Sequence, residues 1–322
     1  MNHKLVQLQL SDKIQTIKMK RILILIFTIF LAEGIKAQQL PQITQYMNNN
    51  YVINPAVAGM YDYYQVNTTI RNQWVGINEG PRTSVISIYG KHNNNVGLGG
   101  TVYNDITGPT SRIGGAASYT YTFSLIQDLK ISLALQGGFT QFKIIKDLQT
   151  EHQNDPLLKG GDIVRTLPDA TFGFNLSGER WYIGLAIPHL LTSELNLMDD
   201  NFARIYDTIS QNGKLARHIY VLGSYSYEVN SAVSIEPSFF LKSVEGAKTQ
   251  IDFGIKSEYK SIIWLGMNYK MNNDLSSISA LLGYNINDRF NIGYSYGIPS
   301  SATSSYYSGS HEFMLGIRFL SD

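Results

Sequence analysis

From about residue 63 to the C-terminus the chain is built from runs of roughly ten residues in which apolar positions alternate with small or polar ones. Phe290, Ile292, Tyr294, Tyr296 and Ile298 share one face, and Asn291, Gly293, Ser295 and Gly297 share the other. Phe313, Leu315, Ile317 and Phe319 oppose Glu312, Met314, Gly316 and Arg318, and Ile278, Ala280, Leu282 and Tyr284 oppose Ser277, Ser279, Leu281 and Gly283. A period of two belongs to strands, because successive side chains of a strand point to opposite faces of its sheet. Gly, Asn, Asp and Pro break each run, so the pattern predicts an all-β chain of about fourteen antiparallel strands. They fall near 63–71, 83–91, 95–104, 111–123, 129–143, 169–177, 181–188, 218–228, 233–242, 250–259, 261–270, 276–285, 290–298 and 309–319.

The connections sort by length. Those after even-numbered strands are short, as at 92–94, 124–128, 178–180, 229–232, the 259–261 junction and 286–289. Those after odd-numbered strands are generally longer, above all 144–168, 189–217 and 299–308. One rim of tight turns and one of loops, on an even number of strands, is the pattern of a transmembrane outer-membrane β-barrel. The apolar rows then face lipid, and the Gly, Ser and Asn rows face the lumen. Tyr225, Tyr227, Tyr259, Tyr269, Tyr294 and Tyr296 supply interfacial girdles. Because lipid satisfies no free backbone group, the first and last strands are expected to pair and close the wall.

Ahead of the strands, Lys18, Lys20 and Arg21 lead into an apolar run from Ile22 to Ala32 that is too short to span a bilayer, and small residues end at Ala37. This reads as a signal peptide over residues 1–37, cut after Ala37. Met19 is an alternative start, which makes 1–18 a candidate misannotated extension. Residues 38–62 form a separate N-terminal segment, at the periplasmic rim or as a plug, and 63–322 form the barrel.

Composition narrows the function. Charged residues are 16% of the chain against about 25% in soluble domains. Lys and Arg total 26 against 25 acidic residues, which gives no field to gather a nucleic-acid backbone. The absence of cysteine removes disulfides, thiolate metal sites and a lipoprotein anchor. The histidines at 3, 92, 152, 189, 218 and 311 include no close pair with metal-ligand spacing. Gly97-Leu98-Gly99-Gly100 lacks dinucleotide-loop spacing, and Asp199-Asp200 reads as a solvated loop. No enzyme, cofactor or metal is expected.

The most specific wording follows the signal: Ile53-Asn54-Pro55-Ala56-Val57-Ala58-Gly59, then Arg71-Asn72-Gln73-Trp74-Val75-Gly76, then Gly80-Pro81-Arg82-Thr83. Pro168-Asp169-Ala170, Glu236-Pro237-Ser238-Phe239 and Ser310-His311-Glu312-Phe313-Met314-Leu315-Gly316-Ile317-Arg318-Phe319 continue in order. Across the mature chain this resembles the PorP/SprF family of type IX secretion outer-membrane proteins. Val57 stands where an aromatic is usual, and Leu320-Ser321-Asp322 extend past the usual terminal aromatic, leaving Phe319 as the assembly signal. The resemblance implies a noncatalytic barrel that works with other type IX secretion components, or that docks the C-terminal domain of a secreted cargo, in some relatives a gliding adhesin.

Candidate contacts follow from chemistry. Asn54, Pro55 and Gly59 are turn residues that fold 38–62 back, and the same segment is a candidate contact for periplasmic machinery. Arg71 and Trp74 end the first strand at the external rim, as an interfacial pair or as part of a docking surface. Leu190, Leu191, Leu195 and Leu197 make a long external loop more apolar than solvation requires. The rival function is a passive outer-membrane channel or small-solute transporter, against which inward Tyr103, Phe142, Tyr220 and Trp264 would fill the lumen.

Overall fold

The computed structural model describes residues 42–126, 128–145, 162–195, 214–245, 247–271, 276–299 and 306–320. Its strands are β1 (Tyr63–Asn72), β2 (Arg82–Lys91), β3 (Val96–Thr107), β4 (Thr110–Ile126), β5 (Leu129–Ile144), β6 (Ile163–Ser177) and β7 (Trp181–Ile187). β8 runs as His218–Tyr225 and resumes as Tyr227–Asn230, both segments pairing with β9 (Val233–Val244). β10 (Gln250–Tyr259), β11 (Ile263–Met271), β12 (Ser277–Asn285), β13 (Phe290–Ile298) and β14 (Ser310–Leu320) complete the wall. Every neighbour is antiparallel, and β14 pairs with β1 from Tyr63↔Leu320 to Asn72↔His311, so the sheet closes on itself as fourteen strands.

The alternation sets the two faces. Outward Leu135, Leu265, Leu282, Ile292 and Phe313 are exposed, whereas inward Asn67, Thr120, Ser132, Asn175 and Ser295 are buried. A soluble sandwich buries its apolar face. Here the polar face is the buried one, as a membrane barrel requires.

Two expectations are corrected. β6 begins at Ile163 rather than near 169, because Pro168 stands inside the ladder opposite Phe139. Its carbonyl accepts from Ser193 Oγ at 2.9 Å on the side away from β5. The missing N–H of Pro168 points the same way, and β7 does not extend far enough to need it. The β3–β4 connection is also a tight turn at Gly108-Pro109, with Gly108 at φ +53°. The long connections on that rim are therefore 73–81, 145–162, 188–217 and 299–309.

Residues 42–62 lie inside the barrel. Two 3₁₀ turns, Asn50–Val52 and Pro55–Gly59, shape them. Asn54 caps the second turn: its Oδ1 accepts from Ala56 N at 3.0 Å, and Pro55 occupies the first helical position, where its missing N–H costs nothing. Ala56, Val57 and Ala58 are wholly buried.

Candidate functional site

The internal segment seats against the wall by close approach rather than by strand pairing. At Gly97 on β3, the carbonyl carbon and oxygen of Ala58 and the nitrogen of Gly59 lie 2.6 Å from where a Cβ would stand. Only glycine admits the backbone there. Tyr51 stacks on Tyr89 with ring centroids 4.5 Å apart and shares a 2.8 Å hydrogen bond with Ser118. Burial pushes the Tyr51 hydroxyl up to about 12. Asn54 Nδ2 donates to the Phe174 carbonyl at 2.9 Å, and Thr120 Oγ1 donates to the Pro55 carbonyl at 3.0 Å. At the short-turn rim the hydrogen bond from Lys91, at 2.6 Å, holds the Asp62 carboxyl below its ordinary range.

The upper end of the segment is held differently. Glu312 Oε2 accepts from Thr44 N at 2.7 Å and Oε1 from Gln45 N at 2.8 Å. Arg71 Nη1 pairs with Glu312 Oε2 at 2.9 Å and donates to Thr44 Oγ1. Lys270 Nζ donates to Gln42 Oε1 at 2.6 Å, and Tyr46 packs on Phe240 with centroids 5.4 Å apart. A polar cavity of about 310 Å³ lies beside this stretch, bounded by Met47, Asn48, Trp264 and Arg318 and reaching Ser261 and Asn287 at the short-turn rim. A smaller cavity of about 120 Å³ sits between Ile43, Ile53 and the wall residues Val85, Tyr103 and Tyr220.

At the long-loop rim, Trp74 takes a left-handed backbone at φ 53° and remains 38% exposed. Its loop is tied to the last one: Val75 N donates to Gly309 O at 2.9 Å, Ser308 N donates to Val75 O at 2.7 Å, and Trp74 tilts against Tyr307 at 6.3 Å. The loop after β7 turns back into the mouth through a bridge between Glu194 and Lys214. Leu195 is wholly buried there with Leu215 and Phe142.

The anticipated contact residues thus separate. Arg71 stands at the next-to-last position of β1, but its side chain points into the lumen rather than to the headgroups and is spent on Glu312 and Thr44. Leu195 is a loop anchor, Leu190 is half-buried, and Leu191 is exposed at 52%. Leu197 lies outside the described residues. Asn54, Pro55 and Gly59 are all buried between the turns and the wall. Phe319 faces outward, 55% exposed, opposite Tyr64 at the closing seam.

Two groupings escape sequence reading. Glu312 and Arg71 are far apart along the chain and meet only because β1 and β14 close the barrel. Asp169, His189 and His218 also converge: His189 Nδ1 lies 2.8 Å from Asp169 Oδ2, and the two imidazole rings are 5.6 Å apart. The one local signal for Glu312 is a carboxylate on the lumen-facing row of an otherwise apolar strand. Among the described residues no group of three or more His, Cys, Asp or Glu side chains is placed to hold a metal ion.

A closed fourteen-stranded wall with an apolar outer face, a polar lumen and an internal plug defines an outer-membrane β-barrel. The chain belongs to the type IX secretion system membrane protein PorP/SprF family, whose profile matches residues 35–317. It is a secretion-related barrel of the outer membrane. No curated protein sequence matches it. Among solved structures it is similar to the toluene transporter TbuX of Ralstonia pickettii, at 10% identity and a TM-score of 0.52, over 89% of this chain and 96% of that one. It is also similar to a FadL homologue of Pseudomonas aeruginosa, at 11% identity and a TM-score of 0.48, over 83% and 92% of the two chains. The likeness to TbuX is one of barrel fold alone. The family is one of secretion-system membrane proteins.

Proposed function

We propose that the barrel is the outer-membrane docking element through which type IX secretion retains a cargo protein, holding the cargo's C-terminal domain at the cell surface and contacting other secretion components on its periplasmic side. The observation that carries this reading is the long-loop rim. Its first and last loops are bonded to each other, yet they leave Trp74 exposed, and the loop after β7 is anchored by Leu195 while it leaves Leu191 exposed. Preorganised apolar anchors of this kind supply affinity at low ordering cost. The buried plug favours docking over passive diffusion of solutes. A large surface adhesin is one class of cargo this platform suits.

Trp74→Ala and Leu191→Ser each remove an exposed anchor without touching the plug or the wall. At roughly 2 kcal/mol for a hot-spot residue, each is expected to weaken cargo retention about thirtyfold, read as the ratio of cell-bound to released cargo. Unchanged retention in both variants, with normal barrel levels in the outer membrane, would overturn the rim as the docking surface. Arg71 is not part of this surface, since its guanidinium is committed inside the lumen.

The reading also includes removal of residues 1–37 on export. N-terminal sequencing of the outer-membrane form is expected to begin at Gln38. A start within residues 1–19 would rule that processing out.

A further inference from the structure

The wall is uneven on its long-loop side. β4, β5 and β6 run for 17, 16 and 15 residues, but β7 runs for only 7. β7 pairs with β6 from Phe172↔Ile187 to Ser177↔Tyr182, so β6 from Ile163 to Thr171 rises with β5 on one side and no strand on the other. The sequence after Ile187 cannot continue the ladder. Pro188 has no N–H, and His189 and Thr192 take left-handed backbones at φ 57° and 45°, a costly conformation for a β-branched residue. The departing chain touches β6 twice: Leu190 N donates to Ala170 O at 2.9 Å, and Ser193 Oγ donates to Pro168 O at 2.9 Å. Leu195 then turns into the mouth against Phe142 and Leu167.

The backbone groups left over follow from the ladder. In an antiparallel pair, alternate residues turn both backbone groups to the same neighbour. The carbonyls of Pro168 and Ala170 face away from β5, so the N–H and C=O of Val164 and Thr166 do the same. Val164 O accepts from Arg165 Nη1 at 3.2 Å. Among the described residues, nothing pairs with Val164 N–H or with Thr166 N–H and C=O on that side.

Lipid does not tolerate such an edge, and this one stands above the lipid. The outward row of β5 changes from Leu133, Leu135 and Phe139 to Gln141 and Lys143, directly opposite Thr166 and Val164. Gln141 Nε2 donates to Thr166 Oγ1 at 3.0 Å, and Lys143 pairs with Asp162 at 2.8 Å. A strand edge in water, backed by a complete ladder, is a template for one more strand. Pro168 stops it from below, because its N–H is missing and its carbonyl is taken. What adds there is therefore a short segment. Exposed Leu191 sits between the two contacts with β6 and borders the free edge.

We infer that the free edge of β6 at Val164 and Thr166 receives an extended segment of the cargo's C-terminal domain as an added strand. Main-chain bonds supply affinity, and Leu191 supplies a side-chain contact beside them. The inference rests on the docking reading above and gives it a location and a bonding pattern.

The probe is the purified C-terminal domain of the surface protein that cells lacking this barrel release, offered to the full-length barrel in nanodiscs. Hydrogen exchange over residues 163–168 is the direct readout. The amides of Val164 and Thr166 are expected to exchange fast in the free barrel and at least tenfold more slowly in the complex. Those of Arg165 and Leu167, turned toward β5, stay slow in both. Thr166→Pro removes a donor from the free side and no ladder bond to β5, and it is expected to weaken binding at least tenfold. Thr166→Val loses only the hydroxyl bond to Gln141 and should bind like wild type, with heat-modifiable migration confirming that both variants fold. Binding that Trp74→Ala and Leu191→Ser weaken, with no new protection at 164 and 166 and no effect of Thr166→Pro, would keep docking and overturn strand addition. A wild-type barrel without affinity for the domain would overturn both. Protection at 164 and 166 in the barrel alone, lost on dilution, would assign the edge to a second copy of this chain and overturn the cargo strand.

Discussion

Leu135→Arg should destabilise the barrel by about 2–4 kcal/mol, while Ile126→Arg should cost only about 0–1 kcal/mol. Both side chains face outward and both are well exposed, at 62% and 68%. By exposure alone the two substitutions are equivalent, and in a soluble protein each would fall within about 0.5 kcal/mol of neutral. Depth separates them. Leu135 sits midway along β5, between Tyr119 on β4 and Phe172 on β6. Ile126 is the last residue of β4, at the short-turn rim. A guanidinium at the midplane has to drag water or headgroups into hydrocarbon, whereas one at the rim reaches the headgroups by extending its stem. Reversible urea unfolding in lipid vesicles reads both values. Equal costs for the two variants would mean that the outward face does not meet a bilayer.

The same contrast marks what is legible in the sequence. Strand positions and facing can be read because the period of two is imposed at every residue by the wall itself, with lipid on one side and a polar lumen on the other. Phe290 to Ile298 and Phe313 to Phe319 need no distant information to be placed. Pro168 is misread because proline usually ends a strand. It is tolerated here because β7 stops short and leaves that edge of β6 without a ladder, a fact about a neighbour rather than about the residue. Arg71 is misread for a related reason. At a strand end it resembles a headgroup anchor, and only closure of β1 on β14 brings Glu312 opposite and draws it inward.

Leu195 and Leu191 look alike in sequence, and the fold of the loop decides which one is buried. For residues 42–62 the turn chemistry of Asn54, Pro55 and Gly59 is local and readable. Their place in the lumen depends on Gly97, Gly173 and Gly184, glycines that sequence reading takes for ordinary strand residues.

Gly97→Val puts that last point to a test with a large effect. A side chain at 97 meets Ala58 and Gly59 backbone atoms at 2.6 Å, and no rotamer change of a neighbour relieves a backbone contact. β3 cannot yield easily, since Gly97 is paired to Lys91 on one side and to Thr120 on the other, and shifting it would open two ladders. The plug must yield instead. It is expected to lose the Pro55 carbonyl bond to Thr120, the Tyr51–Tyr89 stack and the burial of Ala56, Val57 and Ala58 together. At about 3 kcal/mol, the upper end of the overpacking range, plug opening becomes roughly 150-fold more frequent. Residues 42–62 contain no Lys or Arg but do contain Tyr46, Tyr51 and Tyr61, so chymotrypsin is the probe. Cleavage within the plug of the folded barrel should accelerate by that factor in Gly97→Val. Gly100→Val is the control: it lies on the same strand facing outward, and its nearest neighbour would be 3.6 Å from the new Cβ. It should digest like wild type, because its side chain enters the lipid face and leaves the plug seated. If the two valines digest alike, the wedge is not held against β3.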